Sequence, residues 1–209
     1  MELYFLEACV TTLDEAITAE LNGAHRLEIC TRLETGGMTP EVQLVKDILS
    51  KTSIPCRIMI REEAEGFEAD NSTLNKMVDA IHQFENIPID GFVFGLLKNN
   101  SVDREGMDVL LRHAAPYSVT FHKAIDLSVN KWDDIEWMND QILIDTILTS
   151  GGFALATEGV DEILKMKNAF KKNIMAAGKI KPDQLTGLHE KLQLKWYHGR
   201  NIVPLTPNP

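Results

Sequence analysis

The most constraining feature of the sequence is an alternation of short apolar runs and longer amphipathic stretches, repeated from one end of the chain to the other. Short apolar runs predict buried strands, and the amphipathic stretches between them predict helices that cover a sheet. Predicted strands cover residues 3–9, 26–30, 56–61, 91–95, 119–122, 145–149, 174–177 and 194–198. Predicted helices cover residues 12–22, 40–52, 72–85, 103–114, 128–139, 156–171 and 181–191. This order implies parallel strands joined by right-handed crossovers.

Eight strands in this order predict an α/β fold of the TIM-type (β/α) barrel class, with residues 1–209 as a single domain. An open doubly wound sheet is the alternative, but no G-x-G-x-x-G motif follows the first strand, which disfavours its dinucleotide-binding form. The final segment, GRNIVPLTPNP, has three prolines in its last six residues, so we predict that a full eighth helix is missing. Tyr4, Leu6 and Tyr197 would then be uncovered, which predicts a homodimer or a higher homo-oligomer.

Charge and composition exclude several classes of function. The formal net charge of −10 disfavours nucleic-acid binding, which needs a clustered basic surface. No stretch approaches the roughly 18 apolar residues of a membrane span, and the N-terminal MELYFLEACVTTLDEA lacks the basic start of a signal peptide. Three cysteines without framework spacing are typical of a reducing compartment. We therefore expect a cytoplasmic protein, in which any functional cysteine acts as a thiol, a thiolate or a metal ligand.

Two similar strand endings, LEAC and LEIC, hold the most informative polar side chains. Because side chains alternate along a strand, Glu7 and Cys9 share one face of the first strand, and Glu28 and Cys30 share one face of the second. The apolar residues on the opposite faces should point out toward the helices. Both Glu-x-Cys pairs should then point inward at the C-terminal end of the barrel, where barrel active sites lie. Neighbouring strands are about 4.8 Å apart, so the two thiols should approach within a few ångströms.

Further polar side chains at the predicted strand ends should gather at the same mouth, and these are Arg61, His122, Thr149, Ser150 and His198. Buried charge needs a partner, and Arg61 is the expected partner of Glu28, with Glu7 joining the pair. Structural alternatives remain open. A buried cysteine is often a small core residue, a buried histidine is often only hydrogen-bonded, and an internal Glu–Arg pair can be scaffolding.

Seven segments together resemble the CutC copper-homeostasis family, in family order and over about residues 3–180: LEACVTTLDEAITAELNGAHRLEIC, GGMTP, IMIRE, DGFVFGLL, VTFHKAID, ILTSGG and MAAGKI. The resemblance implies a TIM barrel, a cytoplasmic location, a dimeric or higher assembly and a role in copper handling. It also implies that Cys9 and Cys30, which match the positions held to bind Cu(I), are the metal ligands. The chain departs from the family pattern where IREE keeps only the first arginine, Arg61, where Lys123 replaces an arginine, and where Lys179 replaces a glycine.

Two classes of function remain open at this point. A copper-binding protein would use Cys9 and Cys30, since Cu(I) is soft and prefers thiolates. An enzyme acting on an anionic or phosphorylated small molecule would use Glu28, Arg61 and His122 in catalysis. It would bind its substrate through the other polar residues of the mouth, which are Glu7, Lys123, Asp126, Thr149, Ser150 and His198. A variant of the enzyme hypothesis places a divalent metal on Glu28, His122 and Asp126, and a further alternative is a non-catalytic scaffold.

Overall fold

Eight short parallel strands close into a barrel in the structure, a computed structural model that describes residues 4–206. The strands are β1 Phe5–Val10, β2 Arg26–Ile29, β3 Cys56–Met59, β4 Gly91–Phe94, β5 Ser118–Phe121, β6 Ile144–Thr149, β7 Asn173–Ala176 and β8 Trp196–Gly199. They follow one another around the barrel in chain order, and β8 pairs with β1 to close it. The predicted TIM-type barrel is therefore confirmed. Leu3, the predicted start of the first strand, lies outside the described residues.

Seven helices within residues 4–206 connect the strands and cover the outside of the barrel: α1 Leu13–Leu21, α2 Val42–Leu49, α3 Asn71–Gln83, α4 Arg104–Ala114, α5 Lys131–Asp140, α6 Val160–Ala169 and α7 Pro182–Leu192. Oxygen atoms of polar side chains accept hydrogen bonds from first-turn backbone N–H groups at several helix starts, which are Thr12, Asp70 and Asp103. In the part of the chain that the structure describes, we find no helix long and apolar enough to cross a bilayer.

Three short elements were not predicted from the sequence: the 3-10 helices Leu33–Thr35 and Lys123–Leu127, and an antiparallel hairpin between β4 and α4. Leu97–Lys98 pairs with Ser101–Val102 in this hairpin. Its two turn residues, Asn99 and Asn100, both have positive φ angles, 53° and 58°. Two such residues suit the tight two-residue turn of a hairpin, and asparagine tolerates this conformation better than most residues. The Asn-Asn pair was therefore the available sequence signal.

Apolar residues fill the space between barrel and helices, whereas the inside of the barrel carries ionic contacts. Leu27, Ile29 and Ile58 are fully buried in the outer core. Near the N-terminal ends of the strands, Arg57 donates to both carboxylate oxygens of Asp145, at 2.8 and 2.6 Å, and to Asp90 at 2.9 Å. Such bidentate pairing satisfies a buried guanidinium. The barrel interior is therefore organised by charge.

The segment after β8 takes the place of an eighth helix, which is missing from the described residues as predicted. The side chains of Ile202 and Val203 are buried in the main hydrophobic core. The side-chain amide of Asn22, at the end of α1, donates to the carbonyl of Pro204 at 3.0 Å. The tail is thus packed against the barrel as far as it is described, and residues 207–209 lie outside that part.

The prediction that the outer face of β8 and β1 is uncovered is largely wrong. Tyr197 points outward but is fully buried, because its hydroxyl lies 3.0 Å from Nδ1 of His189 on α7 and its ring packs edge-on against Tyr4. Tyr4 and Leu6 are half-buried against the same core. Exposed large apolar side chains lie elsewhere, for example Val129 and Trp132 beside the start of α5. The predicted homo-oligomer stays a prediction.

Replacing Ile202 with alanine should lower the free energy of unfolding by about 2–4 kcal/mol, because the substitution leaves a cavity in a packed core. Urea-induced unfolding followed by circular dichroism measures this change. Pro204→Ala is the matched control, since Pro204 is exposed in the same tail and contributes a backbone carbonyl that alanine retains. Similar losses in the two variants would contradict the packing role of the tail.

Candidate functional site

Three adjacent strands, β8, β1 and β2, bring the polar residues of the mouth together through their register. Glu7 on β1 is opposite both His198 on β8 and Arg26 on β2, and Cys9 is opposite Glu28. Opposite residues of parallel strands point to the same side of the sheet. All five side chains are buried. The alternation of LEAC and LEIC therefore directs both Glu-x-Cys pairs inward, as the sequence indicates.

The two strand-end thiols are in contact. Sγ of Cys9 lies 3.4 Å from Sγ of Cys30, well beyond the roughly 2.05 Å of a disulfide bond, and both cysteines are free. Their apolar neighbours within the barrel are Met59 and Val93. The hydrogen bond with Cys30, together with burial, raises the pKa of the Cys9 thiol well above its usual range, although Arg200 opposes this. The Cys9 thiol is therefore protonated at neutral pH.

Beside the thiols, His198 is held between two buried carboxyl groups. Its Nδ1 lies 2.8 Å from Oε1 of Glu7, and its Nε2 lies 3.1 Å from Oε2 of Glu28. Burial opposes ionisation of Glu7, but Arg26, whose Nε donates to it at 2.5 Å, and His198 lower its pKa to about 2. Burial raises the pKa of Glu28 to about 8 despite His198. Glu7 is therefore ionised at neutral pH, and Glu28 is mostly protonated.

The expected ion pair between Arg61 and Glu28 is wrong. Strand β3 ends at Met59, so Arg61 lies in the following loop and is not aimed at the barrel axis. Its guanidinium donates instead, at distances between 2.7 and 3.2 Å, to four backbone carbonyls: those of Thr35, Gly37, Ala64 and Gly66. Arg61 therefore ties two loops of the mouth together, and His198 is the basic partner of Glu28.

Asp126, Thr149 and Ser150 contact one another at the end of β6. The hydroxyl of Thr149 donates to one carboxylate oxygen of Asp126, and the other oxygen accepts from the backbone N–H and the hydroxyl of Ser150, at 2.9 and 3.0 Å. These contacts engage both carboxylate oxygens. They anchor the loop after β5 to the end of β6, and they do not bring Asp126 to Glu28 and His122.

His122 is a neutral side chain at the mouth. Burial and the nearby Arg61 lower its pKa to about 3. Its Nδ1 accepts a hydrogen bond from the backbone N–H of Ala124 at 3.3 Å, so the proton of the neutral ring is on Nε2. The ring also packs against Phe67, with 4.8 Å between ring centroids. His122 is therefore a hydrogen-bond donor to whatever enters the mouth.

A cavity of about 210 Å³ opens onto the thiols and the carboxyl pair. Its lining combines apolar walls with polar groups: Cys9, Glu28, Cys30, Leu33, Gly36, Met59, Phe67, His122, Lys123, Leu148, His198 and Arg200. Arg200, which was not predicted as a site residue, donates to the carbonyl of Cys9 at 3.2 Å and forms an ion pair with Glu15. Its position directly after β8, at a strand end, was the available signal.

Comparison with known proteins identifies relatives in the CutC family. A sequence model described as the CutC family matches residues 4–203. The chain is 32% identical over 202 residues to the copper homeostasis protein cutC homolog of Caenorhabditis elegans, covering 95% of this chain and 80% of that protein. It is 35% identical over 155 residues to family protein CutC of Pasteurella multocida, covering 74% of this chain and 63% of that protein. A crystal structure of CutC from Streptococcus agalactiae superposes with a TM-score of 0.89, over 96% of this chain and 100% of that chain, at 22% identity, which shows the fold.

The Glu28 carboxyl group should make the folded protein less stable as the pH rises. Its pKa is raised from 4.5 to about 8, so the folded state keeps a proton that the unfolded state releases. Stabilisation from this group is complete below about pH 4.5 and is lost as the pH rises through about 8. The raised pKa of His198 acts in the same direction. Glu28→Gln should therefore flatten the decline of the urea midpoint between about pH 5 and about pH 8.

Glu15→Gln is the matched control for this series. Glu15 also lies at the mouth, but the hydrogen bond from Arg200 lowers its pKa to about 2, so its charge does not change in this pH range. A Glu28→Gln profile parallel to those of the wild type and the control would contradict the assignment of a protonated Glu28.

Proposed function

Because the chain belongs to the CutC family, we propose that it is a copper-homeostasis protein that binds Cu(I) through Cys9 and Cys30. The observation that carries this proposal is the contact between the two free, buried thiols, with 3.4 Å between their sulfur atoms. Cu(I) is a soft ion and prefers thiolate and thioether ligands. Met59 belongs to the same buried cluster as both cysteines and adds a second soft group near the pair. The name of the Caenorhabditis elegans relative supports the same role.

Electrostatics around the thiols favour this role more than the sequence suggests. Two ionised glutamates next to the cysteines would oppose the formation of thiolates. Glu28, however, is mostly protonated at neutral pH, and the charge of Glu7 is compensated by Arg26. Arg200 is the cation that favours the Cys9 thiolate, in place of the expected Arg61. When Cu(I) binds, Cys9 and Cys30 can therefore become thiolates without further uncompensated negative charge from the two glutamates.

The proposal includes a cytoplasmic location, because the thiols that would bind Cu(I) must stay reduced. All three cysteines are free, and Cys9 and Cys30 are not joined although their sulfur atoms are in contact. Such a pair persists in a reducing compartment. The cavity at the mouth gives a copper donor or acceptor access to the pair. In this role Cu(I) is cargo that is received and released.

A Cys9→Ser/Cys30→Ser double variant should lose high-affinity Cu(I) binding, because serine hydroxyls do not replace soft thiolates. An anaerobic titration of Cu(I) against a competing chromophoric chelator measures the affinity. Since both thiols release protons when the metal binds, the affinity of the wild type should also rise with pH. Cys56→Ser is the matched control, because Cys56 is buried in the outer core on β3, away from the pair. Equal Cu(I) affinity in the double variant and the wild type would contradict the proposal.

A second candidate function is an enzyme of the barrel mouth, and the pairing of Glu28 with His198 favours it. A protonated carboxyl group beside an imidazole is suited to acid–base catalysis near neutral pH. Lys123 and Arg200 line the same cavity and would attract an anionic substrate. Arg61, Asp126, Thr149 and Ser150 are engaged in contacts between loops, so this version of the hypothesis replaces Arg61 with Arg200.

Thermal unfolding in the presence of phosphorylated sugars and small carboxylic acids tests the enzyme hypothesis. A ligand that binds the folded state should raise the Tm in proportion to RT ln(1 + [L]/Kd). The rise should disappear in a Lys123→Ala/Arg200→Ala variant, since these cations line the cavity. A library without any stabilising compound, or a rise that survives in the variant, would count against an anionic substrate at this site.

A further inference from the structure

Three different donor atoms converge at the mouth next to the thiol pair. Sγ of Cys9, a carboxylate oxygen of Glu28 and an imidazole nitrogen of His198 all lie within 4.8 Å of one another. They come from the three adjacent strands β1, β2 and β8. Among the described residues, this is the group of thiol, carboxylate and imidazole donors that is close enough to hold a metal ion, and Cys30 is not part of it.

One atom of this group has no partner. Oε1 of Glu28 is buried and, in the described structure, makes no hydrogen bond, while Oε2 is paired with His198. A buried polar atom without a partner is rare and costs free energy. Glu28 lines the cavity at the mouth, so a cation bound there would satisfy this oxygen.

The orientation of His198 is also typical of a metal ligand. Its Nδ1 is held by Oε1 of Glu7 at 2.8 Å, and Glu7 is held in turn by Arg26. Histidines that bind metals through one nitrogen usually donate the other N–H to a carboxylate, which fixes the ring. This contact directs Nε2 toward Glu28, at 3.1 Å.

We infer that Cys9, Glu28 and His198 form a binding site for a divalent ion of the zinc type. Zn²⁺ accepts sulfur, nitrogen and oxygen donors together, and sites with three protein ligands leave a further position for water or a small anion. A Cys9 thiolate and a Glu28 carboxylate neutralise the double charge of the ion, so the buried site carries no net charge. Binding releases the thiol proton of Cys9 and the proton shared by Glu28 and His198.

This site is distinct from the proposed copper site but shares one ligand with it. Cu(I) would use the sulfur atoms of Cys9 and Cys30, whereas the divalent ion would use Cys9 with the harder donors of Glu28 and His198. Because both ions need Cys9, they exclude each other. Substitutions of the other ligands should therefore distinguish the two kinds of binding. Cys30 should be required for Cu(I), and Glu28 and His198 should be required for Zn²⁺.

Titration of the metal-free, full-length protein with Zn²⁺ tests this inference, under anaerobic reducing conditions and against a chromophoric zinc chelator. Glu28→Gln and His198→Gln should each weaken Zn²⁺ binding at least roughly tenfold, and Cys30→Ser should weaken it much less. Co²⁺ serves as a spectroscopic probe of the same site. Absorption from thiolate-to-cobalt charge transfer should appear in the wild type and in Cys30→Ser, and it should be lost in Cys9→Ser.

A pair of exposed histidines is a surface source of background Zn²⁺ binding that the titrations must control for. Nε2 of His82 and Nδ1 of His113 lie 2.9 Å apart on helices α3 and α4, and both rings are exposed. All titrations are therefore repeated in a His113→Gln background. Glu34→Gln is the control for a carboxylate near the mouth that is not a ligand, because Glu34 is exposed in the loop after β2. Thermal unfolding confirms that each variant is folded, and Glu28→Asp, which retracts the carboxylate, replaces Glu28→Gln if that variant is unstable.

Several outcomes would overturn the inference. One is Zn²⁺ affinity that is unchanged in both Glu28→Gln and His198→Gln, and another is zinc binding that needs Cys30 as much as Cys9. Cu(I) titration of the same variants separates the two proposals. Zinc binding with the expected pattern in a protein that does not bind Cu(I) would remove the copper proposal and leave the zinc site. If Cu(I) binding needs both cysteines but Zn²⁺ affinity does not depend on Glu28 and His198, the zinc site is removed and the copper proposal remains.

Discussion

The arrangement of the barrel mouth depends on the ionic contacts of the buried Glu7 carboxylate. This carboxylate accepts from Arg26 on β2 and faces His198 on β8, so one side chain links the first, second and last strands of the barrel. A charge in this position is stable only because both partners are present. The same contact bridges β1 and β8, the two strands whose pairing closes the barrel, although Glu7 and His198 are 191 residues apart in the chain. The ionic interior is therefore part of the fold as well as part of the site.

The charge of Glu7 also influences His198 and Glu28, the neighbouring groups that can bind metals. Because Arg26 keeps Glu7 ionised, Glu7 can hold His198, and His198 is then directed at Glu28. Glu28 is left with burial as the dominant influence on its pKa and is mostly neutral at neutral pH. The result is a mouth in which two thiols lie beside a carboxyl group that changes its charge state easily. This arrangement resolves the apparent conflict between soft cysteines and hard glutamates next to each other.

Arg61 is a residue whose partner the strand pattern predicts wrongly. Its place at the end of the predicted strand 56–61 made it the natural partner of Glu28, but β3 ends two residues earlier, at Met59. Beyond a strand end the alternation of side chains no longer applies, and the guanidinium turns to the carbonyls of the surrounding loops. Asp126 does not join Glu28 and His122 for the same reason, since it belongs to the short helical segment after β5 and not to a strand. Cys9 and Glu28, whose opposing register is set within paired strands, were placed correctly.

The order of residues alone predicts the barrel, the lack of an eighth helix within residues 4–206 and the inward direction of the two Glu-x-Cys pairs. These features follow from local periodicity, which acts over a few residues and is written in the order of apolar and polar side chains. The partners of these side chains depend on tertiary contacts: His198 rather than Arg61 for Glu28, Arg200 beside the thiols, and α7 with the tail over Tyr197. Those contacts join strands and loops that are distant in the chain, and their geometry depends on strand register and on where each strand ends. Periodicity does not contain that information, because the same pattern is compatible with several registers.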